Sequence, residues 1–315
     1  MLSVVVCTFN RASKLRRCLR ALAESTDDRT TRRELIVVDN NSSDTTRLVV
    51  DDFAHSTAFT VKYVREDRQG LSHARNTGVR HAAFPFIAFT DDDCVPDPEW
   101  MTSIADEFMA DRSLALLGGR VEPLDSSDDG LGVRRCAERT RIDSYGLLNE
   151  CMIGCNFAVR RTTFDLVGPF DVRLGRGTPI DSGEDRDFFY RILKRGLRIE
   201  YSPRTLVYHG HGRQSRAEIQ ASRDAYATGR GAFYCKHIMA GDRVVLRRAV
   251  AELTRLAAAS LGVGDNKLSN PMRLFRRLVR GAVCRVAGRA TVMRGTHSTG
   301  GESACAPDPE RRYSS

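Results

Sequence analysis

Apolar and polar positions switch between two periods along the first 120 residues. LSVVVC (2–7) is a β-branched run without alternation, the pattern of a strand buried on both faces of a parallel sheet. After the polar TFNR, Leu15, Leu19 and Leu22 recur at helical spacing. ELIVVD (34–39) is a second strand. It runs into NNSSDTT, where Ser43 or Asp44 is placed to cap a helix carrying Leu48, Val49 and Phe53. VKYVRE (61–66) reads as a third strand, GLSHARNTGVRHA (70–82) as a helix and FPFIAFT (84–90) as a fourth strand. A helix over 98–110 and a strand over 115–123 follow. This β-α repetition predicts an α/β fold with a doubly wound, Rossmann-like, mostly parallel sheet flanked by helices.

The pattern is less regular from 131 to 215, where Gly and Pro are frequent and loops around a site are expected. GEDRDFFYRILKRG (183–196) is the exception. It is a helix with Phe188, Phe189, Ile192 and Leu193 as its stripe and Gly196 beyond its C-terminus. IEYSP and TLVYH read as two short strands. The chain then turns helical again. In the stretch from 269 to 289, Asn270 is an N-cap, Pro271 sits at the first helical position, and Phe275, Leu278, Val279, Ala282, Val283 and Val286 share one face. Residues from about 295 are rich in Gly, Ser and Pro, and disorder is expected there.

Composition alters this picture at one end only. The 315 residues carry a net charge of +9, but 243–294 alone carry +10, so the body is near neutral. Such a basic, amphipathic end either lies on an anionic membrane or packs its apolar face on the body with its arginines solvated. Nucleic-acid binding is not expected, because no aromatic interleaving or binding motif accompanies the charge. Nine scattered Cys without a CxxC pair argue against a disulfide framework or a zinc site and for a reducing compartment. The start, MLSVVVCTFNR, lacks the features of a signal peptide, and no apolar run approaches a bilayer span. A cytoplasmic location is expected, peripheral at the inner face of the cell membrane in the first of the two readings of the basic end.

Open α/β sheets bind ligands at the carboxyl ends of their strands. TFNR, DNNSSD and TDDD all fall at such ends. Asp91, Asp92 and Asp93 stand side by side. Like charges repel, and more so when partly buried, so the run is either a solvated turn or a cation site. Its place after a buried strand, beside two other polar clusters, favours the cation. Neither GxGxxG nor GxxxxGK[ST] occurs. Phosphates would then be met by arginines and a carboxylate-held Mg²⁺ or Mn²⁺ instead of a glycine-rich loop.

Eight segments in order now carry a resemblance: SVVVCTFNR, VVDNNSSDTT, GLSHARNTG, FTDDDCVPDPEW, GCNFAVRR, FDVRLGRG, SGEDRDFFYRILKRG and VYHGH. Together, over about residues 2–212, the chain resembles a family 2 glycosyltransferase of the GT-A fold. The resemblance implies a metal-dependent, inverting transfer from a nucleotide-sugar donor, read as a UDP-sugar, to a hydroxyl of a carbohydrate, lipid-linked or small-molecule acceptor. It implies Thr8, Asn10 and Arg11 beside base and ribose, and Asp39 as acceptor of a base N–H. It implies Arg75 near base and phosphates, and Asp92 on the ribose hydroxyls. Asp93 is the implied ligand of Mn²⁺ or Mg²⁺, with Asp91 supporting it and His209, or alternatively His211, as a further ligand. In GED, Asp185 is the implied base and Glu184 an acceptor-binding or orienting group. The implied division is a catalytic domain over 1–215 (a nucleotide-binding half to 122, an acceptor half from 123), a basic helical extension over 216–294 and a tail over 295–315. A nucleotidyltransferase acting on sugar phosphates is a second reading, but it would carry a glycine-rich basic loop where TFNR stands. An inactive relative serving as an interaction protein is a third, against which the intact DDD and GED speak.

Overall fold

The computed structural model describes residues 1–25, 32–57, 60–125, 133–134, 136–210, 215–261 and 271–295, with backbone alone for 288–295. Asn270, His211, residues 126–130 of the polar loop and the tail from 296 lie outside the described residues. β1 (Leu2–Thr8), β2 (Arg33–Asp39), β3 (Thr60–Arg65) and β4 (Phe86–Asp91) pair in parallel, in the order β3-β2-β1-β4. Val4 and Val6 point into one apolar cluster and Val5 into the other, so β1 is buried on both faces as its unbroken apolar run predicts. α1 (Ala12–Ala23), α2 (Thr46–Ser56) and α4 (Trp100–Ala110) supply the first cluster, while α3 (Leu71–His81) covers the second. Val49, Val50 and Phe53 of α2 turn inward, but Leu48 is 61% exposed, because the helix buries a single stripe.

Beyond β4 the sheet changes direction. β8 (Asn156–Arg160) inserts antiparallel between β4 and β6 (Leu114–Pro123). β9 (Arg198–His209) runs parallel to β6 over most of its length, and β5 (Cys94–Pro96) and β7 (Thr140–Arg141) pair antiparallel with it. The expected two short strands, IEYSP and TLVYH, are therefore one strand. The register with β6 shifts between Gly119 and Arg120, so the chain bends there without leaving the sheet. α5 (Tyr145–Cys151), α6 (Thr162–Val167) and α7 (Glu184–Lys194) complete the second layer. Gly183, in a left-handed conformation (φ 94°), precedes α7 and turns its first residues into the sheet's carboxyl edge.

The C-terminal segment forms α8 (Arg216–Ile238), α9 (Arg243–Ser260) and α10 (Pro271–Gly295). Packing the apolar face of α10 on the body, one of the two expectations for this segment, is corrected by the structure. Of that face only Leu278 is buried, while Phe275, Val279, Val283 and Val286 stay exposed. The helix docks instead through a side chosen by close approach and charge. A Cβ on Gly281 would strike the Thr228 carbonyl, and one on Gly231 the Leu278 carbonyl, so only glycine lets the two backbones meet. Arg273 and Arg277 both pair with Asp224 of α8, and the buried Arg285 pairs with Asp171 at 2.9 Å. Buried carboxylates need those cations, and this outweighs the pull of the valine stripe.

Candidate active site

The carboxyl ends of β1, β2 and β4 lie in register, Thr8 opposite Asp39 and Cys7 opposite Asp91. The polar clusters therefore meet along one edge. Asp44 fixes them from the side. Its Oδ2 accepts the Ala12 amide (2.9 Å) at the start of α1, and its Oδ1 accepts the Thr46 amide (3.0 Å) at the start of α2. Asn10, at φ 51°, donates its amide to Ser42 Oγ and accepts the Ser43 amide at 2.8 Å. It ties the two loops together and does not line the cavity.

A cavity of about 1110 Å³ opens over this edge. Thr8, Arg11, Arg75, Asp91, Asp92, Asp93, Glu184, Asp185 and His209 all line it. Thr8 Oγ1 donates to Asp92 Oδ2 at 2.8 Å, and Arg11 Nη1 reaches both Asp92 Oδ1 and Asp93 Oδ2 at 3.1 Å. His209, the last residue of β9, places Nε2 3.1 Å from Asp93 Oδ1. Asp39 stands behind the wall. Its Oδ1 accepts the Ser42 amide at 2.8 Å and its Oδ2 the Tyr63 hydroxyl at 2.7 Å, while neighbouring Asn40 lines the cavity.

The two carboxylate motifs share one guanidinium. Arg75 is buried, its Nη1 donating to Glu184 Oε1 at 2.9 Å. Its Nη2 donates to the Gly154 carbonyl at 2.8 Å and lies 3.4 Å from Asp91 Oδ1. Asp185 borders Gly154, where a Cβ would come within 2.7 Å of Asp185 Oδ2. Its Oδ1 accepts the Arg186 amide at 2.7 Å.

Burial pushes Asp91 up to about 8, against the pull of Arg75. It raises Asp92 against Arg11, and it raises Glu184 together with the charge of Asp185. Burial acts on Asp93 in the same sense, but the His209 hydrogen bond and the charges of His209, Arg11 and Lys14 hold it well below the usual carboxylate range. Oxygens of Asp91 and Asp93 and a ring nitrogen of His209 lie within 4.8 Å of one another. That hard oxygen and imidazole set fits a divalent cation such as Mg²⁺ or Mn²⁺, whose charge would favour the ionised Asp91.

The model of the family described as Glycosyl transferase family 2 matches residues 3–168. The chain belongs to glycosyltransferase family 2. Among its relatives is the pre-mycofactocin glycosyltransferase of Mycobacterium tuberculosis, 32% identical over 160 residues. That match covers 47% of this chain and spans about a third (32%) of the relative's length. The glycosyltransferase AglE of Haloferax volcanii is 24% identical over 300 residues, covering 91% of this chain and 93% of AglE. Two solved structures share the GT-A fold. The mannosyltransferase PcManGT from Pyrobaculum calidifontis, in complex with GDP-Man and Mn²⁺, has a TM-score of 0.62 at 21% identity and covers 91% of this chain and 87% of its own. S. aureus TarS 1-349, in complex with UDP-GlcNAc, has a TM-score of 0.63 at 16% identity and covers 94% and 91%.

Two residues within the glycosyltransferase's quoted motifs, Trp100 of FTDDDCVPDPEW and Asn156 of GCNFAVRR, are structural. Trp100 is fully buried and donates Nε1 to Asn156 Oδ1 at 2.8 Å. Asn156 donates Nδ2 to the carbonyls of Arg120 and Thr205, both at 2.8 Å. Other cavity residues were missed: Arg176 and Asp181 from the loop before α7, and Arg223, Tyr226 and Arg230 from α8. The last three recur at i, i+3 and i+7. That polar stripe is the signal that could have found them.

Proposed function

We propose that this glycosyltransferase moves a sugar, with inversion, from a nucleotide-sugar donor of the UDP-sugar class to an acceptor hydroxyl, with a divalent cation, Mn²⁺ or Mg²⁺, held by Asp91, Asp93 and His209. One observation carries the reading. DDD and GED, almost a hundred residues apart, line one cavity and are bridged by Arg75. When bound, the cation would neutralise diphosphate charge as the nucleoside diphosphate leaves. Thr8 and Arg11 hold Asp92 for the ribose hydroxyls. Asp39, expected to accept a base N–H, stands behind the cavity wall and instead holds the Ser42 amide and the Tyr63 hydroxyl, setting the loop whose Asn40 faces the cavity. Arg75 occupies Glu184, which leaves Asp185 as the carboxylate to take the acceptor's proton while Glu184 orients it. We read 1–215 as the catalytic domain and 216–294 as an extension whose first helix closes the cavity.

The test is turnover of UDP-, dTDP- and GDP-sugars with Mn²⁺ or Mg²⁺, the product anomer being read by NMR. Asp93→Ala and Asp185→Ala should each abolish transfer with the fold intact. Near-normal rates for Asp185→Ala across acceptors would remove the base assignment. A retained anomer would remove inversion.

For the acceptor we favour a lipid-linked one of cell-envelope polysaccharide assembly, met at the cytoplasmic face of a membrane. Ten of the 17 large hydrophobic side chains exposed among the described residues lie between Val244 and Val286. On α9 they form the stripe Leu246, Val250, Leu253, and on α10 the stripe Met272, Phe275, Val279, Val283, Val286. Exposed arginines flank both, including Arg243, Arg247, Arg276 and Arg280. Apolar stripes edged by cations suit an anionic bilayer surface. No helix among the described residues is long and apolar enough to cross a membrane. Co-sedimentation with phosphatidylglycerol vesicles, lost in Val279→Glu/Val283→Glu and absent with phosphatidylcholine, is the expected result. Equal binding to both lipids, or concentration-dependent dimers in place of vesicle binding, refutes it.

A further inference from the structure

A second cluster, of two thiols and an imidazole, adjoins the carboxylates and shares His209 with them; the spacing of the cysteines along the chain argued against such a site, and the fold brings them together. Cys94 opens β5, Cys155 precedes β8 and His209 closes β9; all three are buried. The sheet brings two of them together directly, since Cys94 and His209 are partners across β5 and β9. Cys155 Sγ lies 3.8 Å from His209 Nδ1, and Cys94 Sγ lies 3.9 Å from the Cys155 carbonyl. The two sulfurs and a ring nitrogen of His209 all fall within 4.8 Å of one another. Tetrahedral Zn²⁺, with Zn–S of about 2.3 Å and Zn–N of about 2.0 Å, sets sulfur and nitrogen about 3.5 Å apart. The observed 3.8 Å therefore needs a shift of only a few tenths of an ångström. Cys155 and His209 line the cavity, so an ion and a fourth, water ligand can enter from it.

We propose that Cys94, Cys155 and His209 form a site for a thiophilic divalent cation of the Zn²⁺ class, distinct from the carboxylate site and sharing its histidine. In this state His209 Nε2–H donates to Asp93 Oδ1 and Nδ1 carries the lone pair that faces the sulfurs. A carboxylate orienting a metal-bound imidazole is a recurrent arrangement. Two thiol protons leave to solvent as the two metal–sulfur bonds form, so no oxidant or reductant is needed. Soft thiolates select Zn²⁺ over Mg²⁺ and Mn²⁺, which prefer the oxygens of Asp91 and Asp93. The imidazole cannot serve both metals as drawn. Filling the thiolate site therefore withdraws His209 Nε2 and engages Asp93, and binding at the carboxylate site weakens. This last consequence rests on the proposed role of His209 toward the donor's metal; the site itself does not.

Cobalt(II) is the probe. Added to reduced full-length protein, it should give one equivalent of the intense thiolate-to-cobalt absorption of a tetrahedral site, displaced by Zn²⁺ and not by Mg²⁺. Cys94→Ala and Cys155→Ala should each remove it. Cys136→Ser/Cys151→Ser, which changes the other close thiol pair (3.2 Å), should leave it. In the wild-type chain, independent of any variant's folding, Zn²⁺ should shield Cys155 from iodoacetamide and Mg²⁺ should not. Asp91→Asn should keep the cobalt band while losing Mn²⁺-dependent UDP binding, which separates this site from the donor site. No thiolate band, a band that survives loss of Cys94 or Cys155, or one that follows Cys136 and Cys151 overturns the proposal. A cobalt band without weakened Mn²⁺ binding overturns the shared histidine alone.

Discussion

Arg75→Met tests the link between the two motifs. Arg75 is 2% exposed, and its guanidinium faces Glu184, itself buried and next to Asp185. Removing it leaves Glu184 without its counter-charge, along with an unpaired Gly154 carbonyl. Breaking a buried pair from one side costs about 3–5 kcal/mol. Glu184→Gln in the same chain removes the stranded charge, so the double variant should regain about 2 kcal/mol of that loss. The deficit of the single variant should also shrink as the pH falls. Burial and Asp185 already raise Glu184, loss of Arg75 removes the cation that opposes them, and a protonated Glu184 needs no counter-charge. Urea unfolding of the four chains, followed through the single tryptophan, measures the cycle. Additive losses, or a deficit that does not change with pH, would refute the bridging role of Arg75.

Asp91 makes metal affinity pH-dependent. Burial raises its pKa to about 8. At His209 burial is outweighed by the Cys155 charge and the Asp93 hydrogen bond, and the imidazole is raised well above its ordinary value. Binding therefore displaces protons, and affinity for Mn²⁺ should rise by at least about tenfold per pH unit toward pH 8 in calorimetry; an affinity that stays flat between about pH 6 and 8 refutes it. Asn156→Ala strands the Trp100 indole N–H and the Arg120 and Thr205 carbonyls. At about 1–3 kcal/mol for each buried unpaired group, a loss of about 3 kcal/mol or more is expected in denaturant unfolding. Gly281→Val drives a side chain into the Thr228 carbonyl and should lower Tm through about 1–3 kcal/mol of overpacking, whereas Val283→Thr on the exposed stripe should leave Tm unchanged.

Where burial is symmetric, sequence and structure agree. β1, β2 and β4 are apolar on both faces, α1 and α7 carry single stripes, and Gly196 ends α7 at φ 68°. The antiparallel insertion of β8 left no local trace, because NFAVR reads the same in either direction. The join of IEYSP and TLVYH depends on a bulge opposite β6, which only the partner strand reveals. The docking side of α10 was hidden for a related reason. It is fixed by glycines and aspartates more than forty residues away, and the valine stripe alone suggested the opposite face. Of the site, the strand-end carboxylates were legible from position. The pairing of Arg75 with Glu184 was not, since 109 residues separate them. Nor was the hold of Tyr63 on Asp39, across neighbouring strands.

The extension bears on the chemistry through α8. Gly229 packs on the loop before α7 so closely that a Cβ there would lie 2.6 Å from Ser182 Oγ, and a Cβ on Gly183 would lie 3.2 Å from the Gly229 carbonyl. The turn that presents Glu184 and Asp185 is therefore backed by the α8 backbone. Arg223, Tyr226 and Arg230 of the same helix line the cavity, and Asp224 between them is held by Arg273 and Arg277 of α10. α10 holds α8 through the Asp224 pairs and the Gly281–Thr228 and Gly231–Leu278 approaches, and α8 backs the carboxylates through the Gly229–Ser182 approach. The outward stripe of α10 and the carboxylates of GED thus stand at the two ends of one run of contacts through α8.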